Sequence, residues 1–306
     1  VITTEGFRAW GSRLSNWGRW GVDDRRGTIN WITPDRVAAG AALVEHGDVV
    51  TMGLPLDEHG PQPPDGVRLN PVHTMTRTPA VAPERGGFQW MDDMITMSPQ
   101  GATQLDALSH VAYDGFLYNG VPVDAVTPAG ASELGVETLR AGIHGRGILV
   151  DLPRDLGVDR LDATHVVTPA ELDACLAAQG VAPAQGDIVL IRTGWMRTLR
   201  DDGPSAYMAR EPGVSLPVTA WLSQHRISFV ASDNWGLEVA PPPGDENMPV
   251  HCVLVRDMGM AIGEMFDLER LAEACSRHGR WEFFFSASPL QITGGTGSPL
   301  EPKAIF

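Results

Sequence analysis

The stretch Gln100-Gly-Ala-Thr103-Gln104-Leu-Asp106-Ala-Leu-Ser-His110 gathers amide and carboxylate oxygens and an imidazole into one short segment. Such oxygens are hard ligands, and a single imidazole beside them suits Mn²⁺ or Mg²⁺ and also accepts Zn²⁺. The spacing of Gln100, Gln104, Asp106 and His110 is not evenly helical, so a loop or short turn leading into a helix is predicted. A second reading needs no metal. Thr103 and Asp106 have the Ser/Thr-x-x-acid spacing of a helix capping box.

The segment resembles the signature His-x-Gly-Thr-His-x-Asp-x-Pro-x-His of the cyclase-type metal-dependent hydrolases, the family of bacterial kynurenine formamidase and isatin hydrolase. Thr103, Asp106 and His110 match it. Gln100 and Gln104 stand where the family has its first and second His, Ala102 replaces Gly, and Leu108 replaces Pro. Two further segments, Tyr113-Asp-Gly-Phe-Leu-Tyr118-Asn-Gly120 and Trp20-Gly-Val-Asp23-Asp24-Arg-Arg-Gly27-Thr-Ile-Asn30, are similar to parts of this family. His251-Cys-Val-Leu-Val, taken with Glu264, resembles its distal His and Glu element.

The resemblance implies an α/β chain folded as one swivelling β/β/α domain over residues 1–306. It implies one ion on the positions of Gln100, Gln104 and Asp106, and a second on Asp106, His251 and Glu264, with His110 as proton donor and acceptor. It also implies an N-terminal aromatic at the substrate, here Trp17 or Trp20, and loops of one subunit completing the pocket of another. A neutral amide oxygen is a weaker donor than imidazole, so the two Gln positions shift the expected preference from Zn²⁺ toward Mn²⁺ or Mg²⁺. One ion, on Asp106, His251 and Glu264, is the expectation.

Composition sets the limits of function. The chain has 306 residues, 43% hydrophobic and 20% charged, which is ordinary for a globular protein. A net charge of −15 opposes binding to nucleic-acid phosphates or anionic lipid, so neither nucleic acid nor a membrane is an expected partner. No apolar run is long enough for a bilayer, and no leader pattern is visible, so a cytoplasmic location is expected. Cys175, Cys252 and Cys275 are too few and too scattered for a disulfide framework or a structural zinc site. Cys252 adjoins His251, but the apolar run Val253-Leu-Val255 marks it as buried rather than nucleophilic.

Along the chain, helices are predicted at 34–46, 169–180, 217–225 and 268–278, opened by Pro34 after Thr33, by Pro169 after Thr168, and by Asp267. Strands are predicted at 47–52, 148–152, 186–193, 227–232, 251–255 and 281–287. Residues 1–30 form an N-terminal arm. Residues 55–90, rich in Pro and Gly, read as one long loop carrying Met75, Phe88 and Trp90, which predicts a homodimer or homotetramer. Gly294-Gly-Thr-Gly297 reads as a turn.

Glu264 lies in the apolar run Met260-Ala-Ile-Gly-Glu264-Met-Phe and is either paired with a cation or a surface acid ahead of a helix. Asp233 follows a strand end, where ligand sites gather in α/β sheets, or is a turn residue. The expected activity is metal-assisted hydrolysis of a small, flat amide, imide, lactone or formamide. His110 would move the proton, and Thr103 would help to hold the oxyanion. A lyase or cyclase using the same ion, and a metal-free binding protein on the same fold, are the alternatives.

Overall fold

Four short apolar strands, Ile143–Asp151, Ile188–Arg192, Phe229–Ser232 and Ile262–Glu264, lie parallel and side by side. Every residue of Ile188–Arg192 and of Phe229–Ser232 is buried. This explains why these strands read as continuous apolar runs rather than alternating ones: both faces of the sheet are covered. The computed structural model describes residues 4–80, 86–242 and 247–306.

Antiparallel strands extend this parallel centre on both sides to make a nine-stranded mixed sheet. On one side come Glu282–Ala287, Lys303–Ile305 and Val49–Thr51. On the other come Gln104–Asp106 and then Gly297–Pro299. The signature segment is thus held between two strands, with backbone partners on each edge.

Helix Pro169–Gln179 opens at Pro169 after Thr168, as expected; the structure adds a full capping box between Thr168 and Glu171 and an end at Gly180 in the left-handed region. Helix Pro34–Ala41 packs on the Ile143–Asp151 strand through Gly40. A Cβ at Gly40 would sit 2.5 Å from the Gly145 backbone carbon, so a larger residue there would push the helix off the sheet. No helix among the described residues is long and apolar enough to cross a membrane.

Three expectations are corrected. The Gln100–His110 segment does not lead into a helix, and its centre is the strand Gln104–Asp106. Three residues are too few for a strand period to show in the sequence. Residues 251–255 are not a strand. Met248 turns the backbone left-handed, Pro249 opens the helical turn Pro249–His251, and a π-helix follows over Cys252–Asp257. Every residue from Pro249 to Val255 is buried, so no periodicity separates helix from strand there. Residues 55–90 are not one loop either. Val72–Arg77 pairs antiparallel with Asp92–Thr96 in a hairpin separate from the main sheet, most of whose residues are exposed.

Candidate functional site

In the antiparallel pairing, Gln104 lies opposite Glu264 and Asp106 opposite Ile262. Side chains two apart share a face, as do directly opposed residues, so Gln104, Asp106 and Glu264 project to the same side of the sheet. The turn Pro249–His251 brings His251 over that face. Ligand atoms of Asp106, His251 and Glu264 all lie within 4.8 Å of one another, and all three residues are buried. The wide sequence separation of these residues is closed by one strand pair and one helical turn.

The hydrogen bonding of this cluster is incomplete. Both carboxylate oxygens of Asp106 and the side-chain oxygen of Gln104 are buried without a hydrogen-bond partner among the described residues. Gln104 Nε2 donates to Glu264 Oε2. Burial raises the proton affinity of Asp106 well above the ordinary carboxylate range, and the charge of Glu264 adds to it. Unpartnered buried oxygens are costly, and a cation would satisfy them.

His251 sits between two carboxylates. Nδ1 lies 2.6 Å from Glu238 Oε1 and Nε2 lies 3.0 Å from Glu264 Oε1. Burial lowers its proton affinity, but the hydrogen bonds to Glu238 and Glu264 outweigh that and leave it well above the usual histidine range. Glu238 also accepts the backbone N–H groups of Val250 and His251, at 3.1 and 2.9 Å. A carboxylate on the far nitrogen of a histidine fixes its tautomer and directs the other nitrogen at a metal. Hard oxygens, one imidazole so oriented and a buried setting fit a divalent cation.

A cavity of about 350 Å³ opens over this cluster, lined by His110, His251, Glu264, Arg68, Trp235 and Met248 among others. His110 Nε2 is 3.6 Å from Asp106 Oδ1, and 26% of its side chain is exposed. Burial holds His110 down to about 4, with Arg68 and His251 pushing the same way against Glu264. It is therefore neutral near pH 7, with a ring nitrogen able to take a proton.

Other expected site residues lie elsewhere. Gln100 Nε2 donates to Thr296 Oγ1 at 3.2 Å and packs against Gly297. The hydroxyl of Thr103 donates to Met265 O at 2.6 Å and accepts from Leu54 N at 2.9 Å, so its proton is committed to the fold rather than to an oxyanion. Asp233 is fully buried, and its oxygens accept from Thr193 N, Thr193 Oγ1 and Gly194 N, which makes it a loop staple. Trp17 donates from Nε1 to Arg256 O at 2.8 Å, and Trp20 meets Trp31 edge-on at 5.2 Å. Neither lines the cavity of this chain. Cys252 does, but burial first and Glu238 second push its thiol up to about 12, which leaves it no thiolate at neutral pH.

Sequence reasoning passed over Glu238, Arg68 and Trp235 as site residues. Glu238 carried the same signal as Glu264, an acid in the apolar run Leu237-Glu-Val239. Arg68 sits in the segment taken for a loop, and no local pattern marks it.

The cyclase family model matches residues 28–239. A crystal structure described as a novel cyclase is 40% identical, covers 96% of this chain and 100% of that one, and superposes with a TM-score of 0.89. Isatin hydrolase A from Labrenzia aggregata, bound to benzyl benzoate, is 20% identical over 88% of this chain and 97% of that one, with a TM-score of 0.60. An isatin hydrolase bound to the product analogue thioisatinate is 20% identical over 87% and 94%, with a TM-score of 0.63. These two share the fold. No curated protein matches the chain.

Proposed function

The chain belongs to the cyclase family, and from that premise we propose that it is a metal-dependent hydrolase of a small amide, imide, lactone or formamide. One observation carries the reading. The unpartnered oxygens of Asp106 and Gln104 are buried beside His251 and Glu264, which line a cavity whose wall holds a neutral histidine. The isatin hydrolases that share the fold support ring opening of a cyclic amide in particular.

Asp106, His251 and Glu264 would hold the cation, with Gln104 offering a fourth donor. Mn²⁺ is the first candidate, with Zn²⁺ and Mg²⁺ next, because the donors are mostly oxygen. When bound, the ion supplies Lewis acidity toward a carbonyl and toward water. Glu238 keeps its hydrogen bond to Nδ1 of His251 and so aims Nε2, which lies 3.0 Å from Glu264 Oε1, at the position the cation would take. His110 accepts a proton at Nε2 from the attacking water and returns it to the departing nitrogen or oxygen. Protein purified without chelator should contain stoichiometric Mn, Zn or Mg and open at least one class in a panel of formamides, cyclic imides and lactones. Metal-free protein that turns over none of them defeats the proposal.

A metal-free binding protein is the second reading. It is favoured by the closure of the site by its own groups, since Gln104 donates to Glu264 and His251 bridges Glu238 and Glu264. The same elemental analysis separates it from the first.

Gln104→His is expected to move metal preference toward Zn²⁺, since imidazole is the softer and stronger donor. Competition among Mn²⁺, Mg²⁺ and Zn²⁺, read by metal content after equilibration, checks this. An unchanged order would mean that Gln104 acts only as the donor to Glu264.

A homodimer or homotetramer is also proposed. The hairpin Val72–Arg77/Asp92–Thr96 and its tip expose Val72, Met75, Trp90, Met94 and Ile95, and Phe88 is 67% exposed. Each such side chain left in water forgoes about 1.5–3 kcal/mol of burial. Light scattering at micromolar concentration should give a multiple of 32.9 kDa. A mass of one chain would refute this.

A further inference from the structure

Among its described lining residues the cavity has one acid, Glu264, with Asp106 buried within 4.8 Å of the Glu264 and His251 ligand atoms, and its wall carries a single guanidinium. Arg68 is the only Arg or Lys among the described residues lining the cavity. Its guanidinium carbon lies 5.0 Å from the centroid of the Trp235 ring. Among the described residues its one hydrogen bond runs from Nη1 to the backbone oxygen of Gln100, at 3.2 Å, and it forms no ion pair with a described carboxylate. A guanidinium has five N–H donors, so most of the fork is uncommitted. Arg68 is near enough to the floor for its charge to oppose protonation of both Asp106 and His110.

Trp235 is rigidly set. Glu211, itself buried, accepts the backbone N–H groups of Trp235 and Gly236 at 2.5 and 2.9 Å. The indole Nε1 is buried and has no partner among the described residues. A stacked guanidinium with free donors beside a buried unpaired N–H is a pair of donors without an acceptor. Arginine stacked on an indole loses little freedom when it pairs, and its planar fork matches a carboxylate in two parallel bonds.

We propose that Arg68 and Trp235 form a subsite for a carboxylate that the substrate carries before reaction, so that the substrate is a small, flat acid bearing the hydrolysable amide or ester. The identification of the second group as hydrolysable rests on the hydrolase reading above; the anion subsite itself does not. A cavity of about 350 Å³ lies at the small end of ligand sites and suits an aromatic or short acyl acid. Without Arg68, the acidic floor would repel such a ligand.

The test is binding of benzoate against its neutral isostere benzamide to Mn²⁺-loaded protein, read by calorimetry or tryptophan fluorescence. Benzoate should bind at least about tenfold tighter, the scale of one charge-assisted bidentate pair. Arg68→Met should reduce benzoate to the benzamide level, and Arg68→Lys should retain part of the preference through charge alone. Trp235→Phe, which keeps an aromatic face and removes the indole N–H, should weaken benzoate but not benzamide. Equal affinity for the two ligands, including no measurable binding of either, overturns the subsite. So does a preference that survives Arg68→Met and is lost in Asp106→Asn, because the carboxylate would then sit on the cation. Benzoate preference without hydrolysis anywhere in the panel keeps the subsite and defeats the hydrolase reading. Hydrolysis of neutral substrates without benzoate preference does the reverse.

Discussion

Protein carrying Asp106→Asn is expected to purify without its metal and to lose turnover to background. Asp106 is the carboxylate of the signature, both its oxygens are buried and unpartnered among the described residues, and its ligand atom lies within 4.8 Å of those of His251 and Glu264. Asn has the same shape without the charge, so the loss is of cation binding rather than of packing. Stability in chelator gives the sign that separates the two. Without a cation, burial and the charge of Glu264 favour the protonated Asp106, whose neutral form Asn resembles, so the metal-free variant should melt no lower than the metal-free parent. Added Mn²⁺ should raise the melting temperature of the parent, by about 2.7 kcal/mol of linkage at a hundredfold excess over Kd, and leave the variant unmoved. Metal content equal to the parent's would remove Asp106 from the site.

His110→Ala should keep the metal and lose turnover by about a hundredfold or more, the usual share of a positioned proton carrier. His110 stands 3.6 Å from Asp106 Oδ1 and borders the cavity with part of its ring exposed, so its removal opens space without unpairing a buried group. Elemental analysis and single-turnover kinetics on whichever panel substrate is opened read the two effects apart. If the variant loses its ion, His110 is a ligand, and the proton must be carried by another group.

Several parts of this site are legible in the sequence. Asp106 and His110 stood in a recognisable motif, and Glu264 was conspicuous as an acid in an apolar run. Capping chemistry places the start of helix Pro169–Gln179 at Pro169 and its end within one residue of the expected 180, since Thr168 and Gly180 act locally. What stayed hidden depended on distant partners. His251 was taken for a strand residue, because a short run buried on every side has no readable period and only the left-handed Met248 and Pro249 betray the turn. Gln100 shares the signature with Gln104, but the chain bends between them, and its amide meets Thr296 instead. Arg68 reaches the cavity from a segment that looked like linker, and Trp235 lay unmarked among a set of tryptophans.

The pairing of Gln104–Asp106 between Ile262–Glu264 and Gly297–Pro299 gives the site a parity. Adding or removing a single residue just ahead of Gln104 would exchange the Gln104 and Asp106 face for that of Thr103 and Leu105 while leaving every ladder bond available. The sheet would tolerate the slip, but the ligands would point into the opposite layer. Insertions in the approach to this strand are therefore survivable only in steps of two, and odd ones should yield folded, inert protein.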